Sequence, residues 1–183
     1  MERILESLLI EKCRKGEHSA FRDLVKIYRR QLFSYLMRLT GDRMQAEDAF
    51  QETLIKVWKA IGKYDHKDRF SSWLFSIAHN AAMDSIRKNK LRGSLFHSDD
   101  IEVHTSESNP YSDVVGQELR EILDSIIDNL PEKQKQVFLL REHGEMSFKE
   151  ISELTGEPLN TVLGHMHYAV EKIKRVLRKK NAI

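Results

Sequence analysis

Ser76, Asn80, Asp84, Arg87 and Lys88 recur at i, i+4, i+8, i+11 and i+12, so a helix would carry all five on one side. An amide beside two cations suits a nucleic acid: Arg and Lys meet phosphates, and Asn offers both a donor and an acceptor to a base edge. A second set has the opposite sign. Asp48, Gln51, Glu52 and Ile55 fall together on another helix face, carboxylates and an amide around an apolar centre. Such a face fits docking onto basic helices of another protein, with an ordinary solvated face as the plainer alternative.

The third set closes the chain. Ser147-Phe148-Lys149-Glu150 has the form of a capping box, the Ser147 hydroxyl satisfying a backbone N–H while Glu150 reaches back. Ile151 and Leu154 share the buried face of the short helix it opens. Gly156 permits the positive φ that ends that helix, and Pro158 prevents simple continuation. Val162, Met166, Ala169, Ile173 and Leu177 then repeat at helical spacing and leave Leu163, His165, His167, Lys172, Lys174 and Arg175 outward. This is a helix-turn-helix pattern, which suits duplex DNA, although any α-hairpin looks similar.

Three helices of this kind need a helical scaffold, and composition allows one. Three prolines, eight glycines and 8% aromatic residues in 183 favour an all-α protein, of one domain or two small ones. The net charge of +2 is unevenly spread. Residues 1–95 hold 19 Lys/Arg against 12 Asp/Glu, 96–120 hold 1 against 6, and 121–183 hold 10 of each, with six of the nine residues 172–180 cationic. Such asymmetry suits a polyanion reached through two surfaces, or separate solvated runs. Cys13 is the single cysteine, which excludes an intramolecular disulfide and a cysteine-based zinc site and fits a reducing cytoplasm. The Leu8-Leu9-Ile10 run is too short for a signal-peptide core or a membrane span, so no membrane insertion is expected. His165 and His167, two apart, point apart and do not chelate. There is no Gly-rich phosphate loop, His-Glu-x-x-His or nucleophile constellation, so neither an active site nor a cofactor is expected.

Periodicity predicts helices over 2–15, 19–38, 43–61, 71–91, 117–128, 131–143, 147–155 and 160–179. Phe50, Leu54, Val57, Trp58 and Ile61 form the expected inward stripe of the third; Trp73-Leu74, Ile77-Ala78 and Ala81 form that of the fourth. Both tryptophans are read as core. Gly93-Ser94, Asp99-Asp100 and the run from Thr105 to Pro110 break the rhythm, which predicts a flexible acidic linker over 96–116 between helical domains at 1–95 and 117–183.

Ala46-Glu47-Asp48, Gln51-Glu52, Trp73-Leu74, Ile77-Ala78-His79-Asn80 and Arg87, at these separations, resemble the second region of the extracytoplasmic-function sigma factors of bacterial RNA polymerase. Leu130-Pro131, Glu150-Ile151 and Thr161-Val162 resemble their fourth region, and the likeness runs from about Ile10 to Leu177. The resemblance implies a dissociable promoter-specificity subunit, assembled with core polymerase through the clamp helices of its largest subunit and its flap, acting on promoter DNA and held in check by an anti-sigma protein. It implies that Asp48, Gln51, Glu52 and Ile55 dock on polymerase. Ser76, Asn80, Asp84, Arg87 and Lys88, with the loop from about Asp65 to Ser72, would engage the melted minus-ten element, where a base leaves the stack.

Residues 160–175 would enter the major groove of the minus-thirty-five element through Asn160, Thr161, Leu163, Gly164, His165, His167 and Tyr168, with Lys172, Lys174 and Arg175 directed at the backbone. Here the chain departs from the family, whose segment after Thr161-Val162 resembles Lys-Ser-Arg where this one has Leu163-Gly164-His165. A glycine inside a helix costs about 1 kcal/mol relative to alanine. A stand-alone helix-turn-helix regulator of duplex DNA is the competing class. It needs neither the Asp48 face nor the Asn80 helix.

Overall fold

The computed structural model describes residues 2–65, 69–93 and 114–179, and the described residues are helical with no strand among them. The expected linker lies largely outside these residues. Contacts divide the chain into two compact units, the first holding the helices before residue 100 together with His143–Glu145, the second holding the remainder.

The first unit contains α1 (Glu2–Arg14), α2 (His18–Thr40), α3 (Arg43–Ala60), a 3-10 turn (Ile61–Lys63) and α4 (Phe70–Gly93). Local chemistry sets the turn between α2 and α3. Gly41 takes φ 69° and donates its N–H to Met37 O, and the Asp42 carboxylate accepts the Gln45 N–H at 2.8 Å. Leu24, Leu32, Tyr35 and Leu36 of α2 are shut in against α3 and α4. From α3 the fully covered residues are Ala46, Ala49, Thr53 and Val57, whereas Phe50, Leu54 and Trp58 are half-buried. The inward stripe is therefore rotated from the one the large residues suggest, because small side chains at the contact let helix axes approach closely. Buried Thr53 satisfies its hydroxyl by donating to Ala49 O.

Helix α4 is more enclosed than its sequence pattern implies. Phe70, Leu74, Phe75, Ala78, His79, Ala81 and Ala82 are all buried, while Trp73 and Ile77 are half-buried. Trp73 packs at a tilt against Tyr64 and Phe70, and Trp58 stacks on the His18 ring with centroids 4.4 Å apart. His79 shares a 2.8 Å hydrogen bond with the Tyr35 hydroxyl, and burial holds that phenol well above its ordinary pKa. Residues 70–72 belong to α4, not to a loop, and residues 66–68 lie outside the described part. Cys13 is buried, which pushes its thiol up to about 11.

The second unit contains α5 (Val114–Asp128), α6 (Glu132–Glu142), α7 (Phe148–Thr155) and α8 (Leu159–Lys179). Helix α5 begins inside the span expected to be linker, since the apolar spacing Val115, Leu119, Ile122, Ile126 already runs back into it. Its core gathers Ile126, Ile127, Leu130, Val137, Leu139, Leu140, Ile151, Val162 and Ala169. Pro131 and Pro158 each precede a helix and supply the carbonyls that accept its first N–H groups, at Lys135 for α6 and at Thr161 and Val162 for α8.

A candidate nucleic-acid interface and a polar docking face

The capping box forms as its sequence implies. Ser147 Oγ accepts the Glu150 N–H at 3.2 Å, and Glu150 Oε2 accepts the Ser147 N–H at 2.7 Å. Gly156, at φ 71°, ends α7. The Ser152 hydroxyl donates to Glu157 O at 2.6 Å and the Thr155 hydroxyl to Ile151 O at 2.8 Å, so short polar side chains tie the turn to α7. Ile151 is fully buried and Leu154 half-buried. These bonds fix the angle at which the chain enters α8.

Helix positions on α8 are about 100° apart. Measured from buried Val162, Asn160, Leu163, Gly164 and His167 lie about 100° to 200° round, facing away from the core. Leu163 and His167 are exposed, as are Asn160, Thr161 and Tyr168; Gly164 is half-buried. His165 differs from the expectation. It lies about 60° from Val162, half-buried, with Nε2 3.3 Å from Glu157 Oε2, close enough for an ion pair once protonated although not aligned as a hydrogen bond. Lys133 of α6 meets the other Glu157 oxygen at 3.0 Å. His165 thus packs at the base of the turn instead of standing on the outward arc.

The three cations expected to face phosphate also separate. Lys172 is half-buried and donates to Asn129 O at 2.5 Å, where α5 ends and its backbone carbonyls favour positive charge. Lys174 is exposed and 3.4 Å from Glu171, and Arg175 is exposed. Arg178 and Lys179, not among the expected contact residues, join Arg175, Lys172 and Tyr168 around an open groove of about 670 Å³ that reaches Pro131. Their membership in the terminal basic run was the available signal. Lys133 and Glu157 gave none, because their partners come from other helices.

In the first unit, Asn80, Arg87 and Lys88 are exposed on α4. Asp84 is half-buried and 3.6 Å from Arg87, so that cation is partly balanced within its own helix. Ser76 is half-buried and its hydroxyl donates to Trp73 O at 2.7 Å, which occupies it internally. On α3, Asp48 and Gln51 are exposed, Glu52 is half-exposed and bound to Lys56 at 2.8 Å, and Ile55 is 54% exposed. Four residues thus present one continuous acidic and apolar surface. No cluster of His, Cys, Asp or Glu among the described residues could hold a metal, and no described helix is long and apolar enough to cross a membrane.

Residues 24–92 match the family model for sigma-70 region 2, and residues 120–173 match that for sigma-70 region 4. An ECF RNA polymerase sigma factor of Bacillus subtilis, SigW, is 33% identical over 92% of this chain and 95% of its own. The ECF sigma-E factor of Escherichia coli K12 is 30% identical, with 94% of each chain covered. Two solved structures share the fold. RpoE of Bartonella quintana, in complex with the anti-sigma factor NepR, superposes with a TM-score of 0.69 at 19% identity over 86% of this chain and 96% of its own. CnrH, in complex with the cytosolic domain of CnrY, gives 0.61 at 20% identity over 96% and 98%. Both regions follow in order in a chain aligned over nine-tenths of its length with such relatives, and the protein belongs to the ECF sigma factors of RNA polymerase.

Proposed function

We propose that this sigma factor divides its work among three faces: Asp48, Gln51, Glu52 and Ile55 on α3 for polymerase, Asn80, Arg87 and Lys88 on α4 for the melted minus-ten strand, and the outward side of α8 for the minus-thirty-five duplex. As an ECF sigma factor it directs promoter-specific initiation by binding core polymerase, recognising promoter elements and assisting DNA melting. The observation that carries the docking assignment is Ile55, a large apolar side chain left 54% exposed at the centre of carboxylates and an amide. An apolar centre excludes water while the acidic rim orients basic helices, the arrangement that concentrates binding energy in a few side chains. The clamp helices of the largest polymerase subunit are the intended partner for α3, and the flap for the second unit.

On α4, an exposed amide followed by two cations supports contact with a base edge and with phosphates of a strand already opened. An anti-sigma protein that covers the α3 face would silence the chain, and cytoplasmic residence follows from a polymerase partner. The test is co-purification with core polymerase. Asp48→Lys with Glu52→Lys should abolish binding while leaving helicity unchanged, and undiminished binding would remove α3 from the interface.

A further inference from the structure

The outward arc at the start of α8 carries an amide, a leucine, a glycine and an imidazole at Asn160, Leu163, Gly164 and His167, and its cations come only three turns later. Gly164 is the anomaly on it. Its φ is not positive, so the backbone there is one that any residue adopts, and a Cβ placed on it would meet nothing within 4 Å. Among the described residues nothing requires glycine at this position, and glycine weakens a helix relative to alanine. A glycine without an internal reason points to a close approach from outside. Beside it Leu163 is 41% exposed, and Leu159, one turn earlier on the same side, is 44% exposed. Together they make an apolar ridge beside the bare backbone of Gly164.

Resting on the assignment of α8 to the upstream duplex, we propose that Leu163 and Gly164 read a thymine there. Leu163 packs on the C5-methyl group, and Gly164 leaves room for the groove wall to come up against the helix. Thymine is the one base whose major-groove edge presents an apolar group, so a leucine standing where family members carry charge has only that target among the four base pairs. Asn160 and His167 flank the ridge with hydrogen-bonding groups, and Lys174 and Arg175 follow on the same helix. That mixture matches a DNA groove better than an apolar protein surface.

The experiment uses holoenzyme reconstituted from core polymerase and the full chain, with promoter fragments randomised across the upstream element. The enriched duplex is then remade with deoxyuridine replacing each thymine in turn, which removes one methyl group and nothing else. At one or two positions uracil should weaken binding about threefold to tenfold, the effect of uncovering a single methyl contact. The loss should vanish with Leu163→Ala. Gly164→Ala should weaken binding to the same duplex while raising the melting temperature of the free protein, a split that a purely structural glycine would not give. Tolerance of uracil at every thymine, or wild-type binding by Gly164→Ala, would overturn the thymine assignment alone. Failure to enrich any upstream sequence would overturn it together with the assignment of α8.

Discussion

Helices α4 and α8 are both proposed to read DNA, yet they are built on opposite terms. Helix α4 is enclosed on several sides, with Leu74, Phe75, Ala78, His79, Ala81 and Ala82 all buried, and it leaves a narrow exposed strip at Asn80, Arg87 and Lys88. Helix α8 buries fully only Val162 and Ala169 among its described residues and leaves a broad outward face. A strand that has lost its pairing needs a rigid surface to hold bases in place, which a helix wedged into a core provides. A duplex already has its shape, so its reader needs reach and a free face. Sensitivity to mutation should divide accordingly, with α4 failing mostly by unfolding and α8 mostly by loss of recognition.

The largest effect should come from Leu74→Ala, which leaves a cavity against α2 and α3 and should cost about 2 to 5 kcal/mol. Leu163→Ala on α8 should stay within about 0.5 kcal/mol of wild type. Urea unfolding of both variants checks the pair, and equal losses would break the comparison. Asn80→Ala comes next, because it tests the working strip of α4 without touching its core. Stability should hold while open-complex formation weakens by about 1 to 3 kcal/mol, read from permanganate footprints of the bubble. A footprint matching wild type would move the role elsewhere.

Ser147→Ala should cost about 1 kcal/mol, since it removes one half of the reciprocal cap that starts α7. Thermal unfolding measures it. The smallest and most specific contrast lies within α8. Arg175→Ala should lower the salt slope of duplex binding by about one unit and leave stability alone. Lys172→Ala should instead lose about 0.3 to 1 kcal/mol of stability, because its ammonium caps the end of α5. Binding titrations at several salt concentrations, beside melting curves, separate the two; identical behaviour would mean that Lys172 is as free as Arg175.

What the sequence disclosed was what lies within a turn or two of itself. Ser147 and Glu150 are three residues apart and Gly156 acts on its own backbone, so the helix-turn-helix could be read directly. The expected ends of the third and fourth helices lie close to those observed, and Val57, Ile61, Leu74, Ala78 and Ala81 of their expected inward stripes are buried, but the stripes are incomplete for a physical reason. A helix buried on several sides shows no clean apolar stripe, so Phe70, Phe75 and Ala82 of α4 escaped notice, and Ala46 and Ala49 of α3 count for more by being small than by being hydrophobic. His165 and Lys172 looked like surface cations and imidazoles until their neighbours were known. Glu157, itself paired with Lys133, lies against the first and Asn129 accepts from the second, and none of these pairings leaves a periodic trace in the chain.

The packing of Trp58 on His18 and of Trp73 against Tyr64 has a practical corollary. The chain has two tryptophans and both sit in the first unit, so intrinsic emission excited at the indole band reports that unit alone. Unfolding of the second unit would pass unseen in emission while registering fully in far-ultraviolet dichroism. Superimposable melting curves from the two signals would mean a single cooperative transition, whereas separated midpoints would reveal two domains that melt independently.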